Sequence, residues 1–407
     1  MRFLIFILFL GAIEWYAWQA VRLSGLYSLH WGRWTVGSIF WFLTALAVFY
    51  FSWLGLVGSH TLPKNLELVI RTLVMIGIFT KLFLAIFMMI DDLRRLVTGM
   101  GTLVVKQSWY MPSRSKFLAN LGLMIGAVPF FALIYGAVRN AYRYTLFRQK
   151  VAVSGLPAAL DGLRIVQISD IHSGSFYRET PIDKAIEMIN ALEPDLICFT
   201  GDLVNNEATE IEPYLEIFSK VKAKYGVYSI LGNHDYGDYI RWPDAAAKQA
   251  NFNRLCENHQ KLGWDLLRNE HRILEVGDAR MAIIGVENYS ARMNFAKYGD
   301  LSEACEGCPG VDFKLLLSHD PSHWHYEVTK AYQDIGLTLS GHTHGMQFGI
   351  EIPGFKWSPI EYVYKEWAGL YQDGEQYLYV NRGFGFLAYP GRVGILPEIT
   401  CLELQAV

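Results

Sequence analysis

Gly341-His342-Thr343-His344-Gly345 puts two imidazoles one residue apart between glycines, a composition that suits a ligand loop better than a packed core. Four earlier stretches match it in chemistry: Asp170-Ile171-His172, Gly201-Asp202, Gly232-Asn233-His234-Asp235 and Ser318-His319-Asp320. Together they supply carboxylates, an amide and imidazoles, the mixed oxygen and nitrogen inventory that holds two divalent cations. Each stretch ends an apolar run, so the pattern reads as one site assembled from distant segments.

Working outward, the runs before these stretches read as strands alternating with helices. Leu163–Ser169 reads as a strand, Thr180–Leu192 as a helix capped by Thr180 with Pro181 at its first position, and Asp195–Thr200 as a second strand. The pattern continues with a helix over Ile211–Tyr225, a strand over Gly226–Leu231 and a helix over Asp244–Leu262. Further strands fall at Arg280–Gly285, Asp312–Leu317, Leu337–Leu339 and Gln376–Val380. The candidate ligands therefore lie just past the C-terminal ends of strands, where open α/β sheets place their sites.

In Asp170-x-His172 the two side chains are two positions apart and share one face of a pleated strand. Asp202 has two oxygens with which to bridge two cations, and Asn233 is a neutral oxygen ligand. The nitrogens of His172, His319, His342 and His344 favour Mn, Fe, Zn, Co or Ni over Ca or Mg, with Mn²⁺ taken as the working choice. Two such ions about 3.5–4 Å apart can share a bound hydroxide that attacks phosphorus. The leaving oxygen then needs a proton, and His234, oriented by Asp235, is the natural general acid.

The order D-x-H, GD, GNHD, H, GHxH resembles the calcineurin-like metallophosphoesterase superfamily, and within it the membrane-associated YkuE/YaeI/LpxG-like branch. The tail Tyr379-Val-Asn-Arg-Gly-Phe-Gly385, with Pro390 and Leu396-Pro-Glu-Ile399, is similar to that branch too. The resemblance covers Leu163 to Leu404. It implies a four-layer αββα sandwich with one metal held by Asp170, His172, Asp202 and His344, and the other by Asp202, Asn233, His319 and His342. Met346 stands where many relatives carry a glycine, which implies a narrower opening beside the metals.

The first 140 residues are of another kind. Apolar runs over Phe3–Val21, Val36–Val57, Val69–Ile90 and Phe117–Val138 are each about twenty residues, enough for a helix to span a ~30 Å hydrocarbon core. Trp15, Tyr16, Trp18, Trp31 and Trp34 mark an interfacial belt. The first run lacks a clear cleavage site and reads as a retained anchor. The expected organisation is an all-α bundle of four transmembrane helices over 1–138, a basic interfacial linker over 139–162, and the α/β metallophosphoesterase domain over 163–407. Basic residues divide evenly between the two sides of the spans, so the side carrying the domain stays open. Glu14 and Lys81 fall at similar depth, about 16 and 18 Å into their runs at ~1.5 Å per residue. Either they pair, or Glu14 is neutral and Lys81 snorkels.

The remaining motifs are weaker. His323 and His325 form a second H-x-H, read as pocket rim or surface because the ligand set is already complete. Gly383-Phe-Gly385-Phe-Leu-Ala388 matches G-x-G-x-x-A without the βαβ unit or the acidic residue that a nucleotide cofactor needs. It reads as a glycine loop beside the metals that offers Arg382 to a phosphate oxygen, or as an ordinary turn. Cys305-Glu-Gly-Cys308 lacks the second pair of a zinc ribbon. A net charge of −3 with 18% charged residues does not point to nucleic acid as a partner.

The sequence thus reads as a multi-pass protein of a bacterial cell (inner) membrane that hydrolyses a lipid-linked phosphodiester or pyrophosphate. The alternative is a lipid or small-molecule conduit or scaffold regulated by a non-catalytic metal-binding domain.

Overall fold

The long apolar runs form the helices Arg2–Leu23, His30–Leu56, Lys64–Val105 and Pro112–Val138. The computed structural model describes residues 2–58, 62–105, 112–293, 295–308 and 310–407. It divides into two units, Met1–Val138 and Arg139–Val407. Among the described residues, His30–Leu56, Asn65–Met100 and Ser113–Val138 are long and apolar enough to cross a membrane. The side chains at the start of the first run, residues 2–7, lie outside the described ones.

Within this unit, Gly122 and Gly126 let the last helix approach the Lys64–Val105 helix at Phe87 and Leu84, the small-residue spacing by which apolar helices pack without a hydrophobic drive. Glu14 and Lys81 pair. Lys81 Nζ lies 2.7 and 3.0 Å from the two Glu14 oxygens, 2.6 Å from Thr44 Oγ1 and 4.3 Å from the centre of the Phe40 ring. Its three protons thus have three oxygen partners, and the snorkelling alternative does not apply.

Among the described residues, the second unit carries fourteen strands: β1 Thr145–Val153, β2 Arg164–Ile168, β3 Leu196–Phe199, β4 Val227–Ser229, β5 Asp265–Leu266, β6 Glu270–Val276, β7 Ala279–Gly285, β8 Phe313–Leu317, β9 Leu337–Ser340, β10 Ile350–Ile352, β11 Phe355–Trp357, β12 Gly369–Asp373, β13 Gln376–Val380 and β14 Glu398–Ala406. One six-stranded sheet runs β1-β14-β2-β3-β4-β5 and another runs β12-β13-β9-β8-β7-β6, while β10 and β11 form a separate ribbon. The β2-β3-β4-β5 and β13-β9-β8-β7 stretches are parallel.

Period-two alternation builds the layers. Ile165, Leu196 and Cys198 of the first sheet meet Met281, Ile283, Leu315 and Leu339 of the second in one shared core. Their neighbours Val166, Ile168, Ile197 and Phe199 face outward onto Ile182, Ile186 and Ile189 of the helix Thr180–Asn190 and Leu255 of the helix Ala245–Leu262. Ala282, Ile284 and Leu316 face the other way, onto Leu301, Trp324 and Val328. The result is the expected four-layer αββα sandwich. Cys305 and Cys308 are half-buried packing residues of that last layer.

Two expectations are corrected. Residues 139–162 are not a linker: β1 pairs in parallel with β14 over nine residues, and Tyr142 and Tyr144 pack on the first sheet's outer core. An edge strand exposes one face, so its Arg148 and Lys150 gave it a polar look; Lys150 lies 3.7 Å from Glu403 across the pair. The Ile211–Tyr225 helix shrinks to a 3₁₀ turn, Glu212–Tyr214, and one turn of α-helix, Leu215–Phe218. Beyond it, the Asn190 side chain bonds the Lys220 carbonyl and the Lys222 amide, at 2.8 and 3.0 Å, taking backbone groups that a helix would have used.

Candidate metal centre

Five strand ends deliver the candidate ligands: β2 leads to Asp170 and His172, β3 to Asp202, β4 to Asn233 and His234, β8 to His319, and β9 to His342 and His344. The backbone there is unusual. Asp170, His172, Asp202, His342 and His344 all have φ between 46° and 69°, a left-handed conformation that costs an L-residue about 1–2 kcal/mol. Strain of this kind collects where side chains must be aimed. Gly341 lets the loop close, since a Cβ there would overlap Ser169 Oγ and Asp170 Oδ2.

Two groups of donors converge, Asp170 with His172 and His344, and Asp202 with His319 and His342. In the first, His172 Nε2 lies 3.0 Å from His344 Nε2, and His344 Nε2 lies 3.2 Å from Asp170 Oδ1. In the second, His319 Nε2 is 3.2 Å from Asp202 Oδ2 and 3.2 Å from Asn233 Oδ1, while His342 Nδ1 is 2.8 Å from the same amide oxygen. Asp202 Oδ2 is also 3.5 Å from His172 Nε2, so it faces both groups, as a bridging carboxylate must.

The outward nitrogens fix the tautomers. His319 Nδ1 donates to the Thr200 carbonyl at 2.7 Å, which turns Nε2 toward the centre. His342 Nε2 sits 3.1 Å from Tyr364 Oη and 3.5 Å from Asp320 Oδ2, which leaves Nδ1 inward. His172 Nδ1 meets Asn205 Oδ1 at 3.1 Å. Asn233 is turned by its own donor, Nδ2 to Tyr239 Oη at 2.8 Å, so that its oxygen points in. Imidazole nitrogens only 3.0–3.3 Å apart must share a proton or a cation between them, and outer hydrogen bonds that orient imidazoles are the usual companions of a metal site.

The electrostatics agree. Burial alone would raise Asp170 and Asp202, yet the facing histidines hold both well below the usual carboxylate range. Burial pulls His319 down, but Asp202, Asp170 and the Thr200 carbonyl outweigh it and take it up to about 10. Burial leads in His172 and His342, which are both depressed and so present lone pairs. A donor set of carboxylates, one amide and imidazoles, which already draws positive charge onto His319, fits divalent transition-metal ions.

His172, Asp202, Asn233, His234, His342 and His344 line a cavity of about 220 Å³ with Met293, Phe295, Ile360, Tyr364 and Leu387. His234 donates from Nδ1 to the Asn205 carbonyl at 2.8 Å, which leaves Nε2 for the cavity. Asp235 does not orient it. Its carboxylate instead accepts from the amides of Asp202, Leu203 and Gly232 at 2.8–2.9 Å, tying the second and third ligand loops together. Burial, with Asp202 beside it, raises Asp235 to about 7.

Arg382 also departs from its expected role. It is buried, bidentate to Glu351 at 2.6 and 3.0 Å and bonded to Glu398 at 2.7 Å, and it is not among the cavity's lining residues, so its guanidinium is committed elsewhere. The glycine loop that follows does lie beside the ligands: Phe384 N and Gly385 N donate to Ser169 O and Asp170 O at 2.7 and 2.8 Å. Met346 keeps a left-handed backbone, φ 54°, but its side chain is exposed and outside the cavity, so it does not narrow the opening. His325 is exposed. His323 is buried between Ser318 Oγ at 2.8 Å and Glu327 at 3.1 Å, a brace rather than rim.

Four contributors escaped the sequence reading. Asn205, Tyr239 and Tyr364 orient His172, His234, Asn233 and His342. Arg392, fully buried, bonds the Arg382 and Gly383 carbonyls and reaches His344 Nδ1 at 3.4 Å. The one available signal was an arginine inside a Gly/Pro-rich tail.

Comparison with known proteins fits this geometry. A family described as calcineurin-like phosphoesterase matches residues 163–346, and one described as probable calcineurin-like phosphoesterase, transmembrane domain, matches residues 1–141. The chain is 32% identical to a Bos taurus "Transmembrane protein with metallophosphoesterase domain" over 67% of its length and 60% of that protein's. It is 30% identical to a Danio rerio protein of the same description over 70% of its length and 62% of that protein's. It thus spans about three fifths of those two relatives. Against the Bacillus subtilis metallophosphoesterase YkuE, identity is 30% over 72% of this chain and 98% of that one. With five ligand loops in the order and places such a centre requires, behind a transmembrane domain of the same lineage, the chain is a membrane protein that belongs to the calcineurin-like metallophosphoesterases.

Proposed function

We propose that the centre hydrolyses phosphoester bonds using two divalent cations, on a lipid-linked phosphodiester or pyrophosphate. The observation that carries this reading is the convergence of two donor groups on one cavity with His234 in its wall. Asp170, His172 and His344 would hold one ion and Asn233, His319 and His342 the other, with Asp202 facing both. Such ions supply Lewis-acid charge to phosphoryl oxygens and acidify water toward neutrality.

The chain's own residues do the rest. His234, anchored through Nδ1 to Asn205, holds a proton at Nε2 for the leaving oxygen. Asp235 keeps the ligand loops in register, and Met293, Phe295, Ile360 and Leu387 give the cavity an apolar wall suited to an amphiphilic substrate. The membrane spans favour the same substrate class, because a soluble phosphoester needs no such anchor. A multi-pass place in a bacterial cell (inner) membrane goes with this reading, on the strength of the long apolar helices of the first unit.

The alternative, a conduit regulated by a non-catalytic domain, rested on Glu14 and Lys81. They satisfy each other and Thr44 and call for no passing ligand. The test is hydrolysis of bis-p-nitrophenyl phosphate by detergent-purified protein, chelated and refilled with Mn²⁺, followed by lipid phosphoesters in micelles. Metal-restored turnover is the expected result. Turnover of soluble phosphodiesters with none of any lipid phosphoester would remove the substrate assignment.

A further inference from the structure

The β10–β11 ribbon is built inside out. Its register pairs Ile350 with Trp357, Glu351 with Lys356 and Ile352 with Phe355, so alternation puts the two charged residues on one face and the apolar ones on the other. The charged face turns toward the domain: Glu351 grips Arg382, and Lys356 Nζ donates to the Ala368 carbonyl over the Trp367 and Tyr371 rings. The apolar face turns outward, with Ile350, Ile352 and Phe355 49%, 58% and 54% exposed.

The turn after the ribbon continues the pattern. Tyr362 is 76% exposed and Val363 39%, and Trp357 Nε1 lies 3.4 Å from Tyr362 Oη. Among the described residues of the 139–407 unit, twelve large hydrophobic side chains are exposed, and six of them fall between Met346 and Val363. A contiguous exposed apolar patch marks an interaction surface.

We propose that this ribbon and turn form a bilayer-inserting element at the mouth of the metal centre, with Ile352 and Phe355 at the tip entering the acyl region and the Ile350–Trp357 pair, with Tyr362, at the headgroup level. Lipid is the occupant for two reasons. The unit begins at Arg139, the residue after the span Ser113–Val138, so the chain holds it at a membrane. The patch also has the order of an interfacial anchor, a wholly apolar tip pair, Ile352 and Phe355, followed by the amphipathic Trp357 and Tyr362. The element is fastened to the centre: Ser358 Oγ donates to Gly345 O at 2.8 Å, Ile360 lines the cavity, and Tyr364 Oη touches His342. A lipid headgroup held at the ribbon would therefore lie at the cavity's edge. The inference deepens the lipid-substrate reading, and insertion is measured apart from turnover.

The experiment uses the full chain, with Cys256, Cys305 and Cys308 changed to serine, reconstituted in phosphatidylcholine vesicles containing phosphatidylglycerol. An environment-sensitive dye is attached at Ile352→Cys or, as control, at Met188→Cys on the outer helix. Acyl-chain doxyl lipid should quench the first dye at least about twofold more than the second. A dye at 352 quenched by aqueous iodide and not by doxyl lipid would overturn the proposal, as would a dye shielded from both, which would mean a protein occupant. Lipid quenching in a protein that turns over no lipid phosphoester would keep the inserting element and reject the substrate reading.

Discussion

Two of the molecule's polar clusters differ in whether they are complete. Glu14, Thr44 and Lys81 close on themselves: one carboxylate, one ammonium and a hydroxyl, all within 2.6–3.0 Å. The centre in the second unit does the opposite. It gathers two carboxylates, an amide and four imidazoles whose oxygen and nitrogen donor atoms converge on one small space. A closed cluster is a structural brace, because every charge has its partner at low dielectric. A cluster of converging donor atoms is a binding site, because metal ions can take up what its members offer.

The sharpest way to break this comparison is to remove divalent ions. Chelation should abolish phosphodiesterase turnover and lower the melting temperature of the 139–407 unit, and Mn²⁺ at about 1,000 times its Kd should restore about 4 kcal/mol of stability. Thermal scans of the purified protein with and without metal read this directly. A melting curve indifferent to metal would mean that the second cluster is as closed as the first.

Next in size is His234→Ala, which should cut turnover by about 10²-fold or more while leaving metal content unchanged. Metal analysis beside steady-state kinetics separates a lost proton donor from a lost ligand.

The closed cluster is tested by charge exchange. Glu14→Lys alone should destabilise the helical unit by about 3–5 kcal/mol, and the double variant Glu14→Lys with Lys81→Glu should recover most of it. Denaturation in mixed micelles measures both, and equal loss in the two variants would refute the pair. Arg382→Met is a third case, a buried cation with two carboxylates. Leaving Glu398 unpaired should cost stability on the same scale, about 3 kcal/mol, with KM for bis-p-nitrophenyl phosphate shifted less than about twofold, since the guanidinium does not face the cavity.

The smallest effect concerns His259, a buried imidazole with no carboxylate against it. Burial lowers it to about 3, whereas His319, equally buried but facing Asp202, goes up to about 10. His259 is neutral when folded and takes a proton when unfolded. Its contribution to stability is therefore intact above about pH 6.5 and lost as pH falls toward 3, by at most about 1.4 kcal/mol per unit. Melting temperatures between pH 7 and 5 should fall less steeply for His259→Gln.

The candidate ligands and the strands that carry them were legible in the sequence. A metal ligand must sit at the end of a strand and keep its chemical type, so Asp170-x-His172, Gly201-Asp202, Gly232-Asn233, His319 and Gly341-His342-x-His344 carry their meaning locally. The strands Arg164–Ile168 and Leu196–Phe199 were legible as apolar runs, but both their faces are buried, so the fold alone shows which residue faces which layer. The spans were legible because twenty consecutive apolar residues have few other uses, and Glu14 and Lys81 because depth along a helix is a count of residues. Only the tertiary structure decided who holds whom. Asn205 took the part expected of Asp235, since the carbonyl that anchors His234 comes from a loop 29 residues away. Arg382 was claimed by Glu351, 31 residues earlier, and by Glu398, 16 later. β1 joined the sheet through β14, at the far end of the chain. Hydrogen bonds and ion pairs act over a few ångströms whatever the distance in sequence, so such choices become visible only once the fold has brought the candidates together.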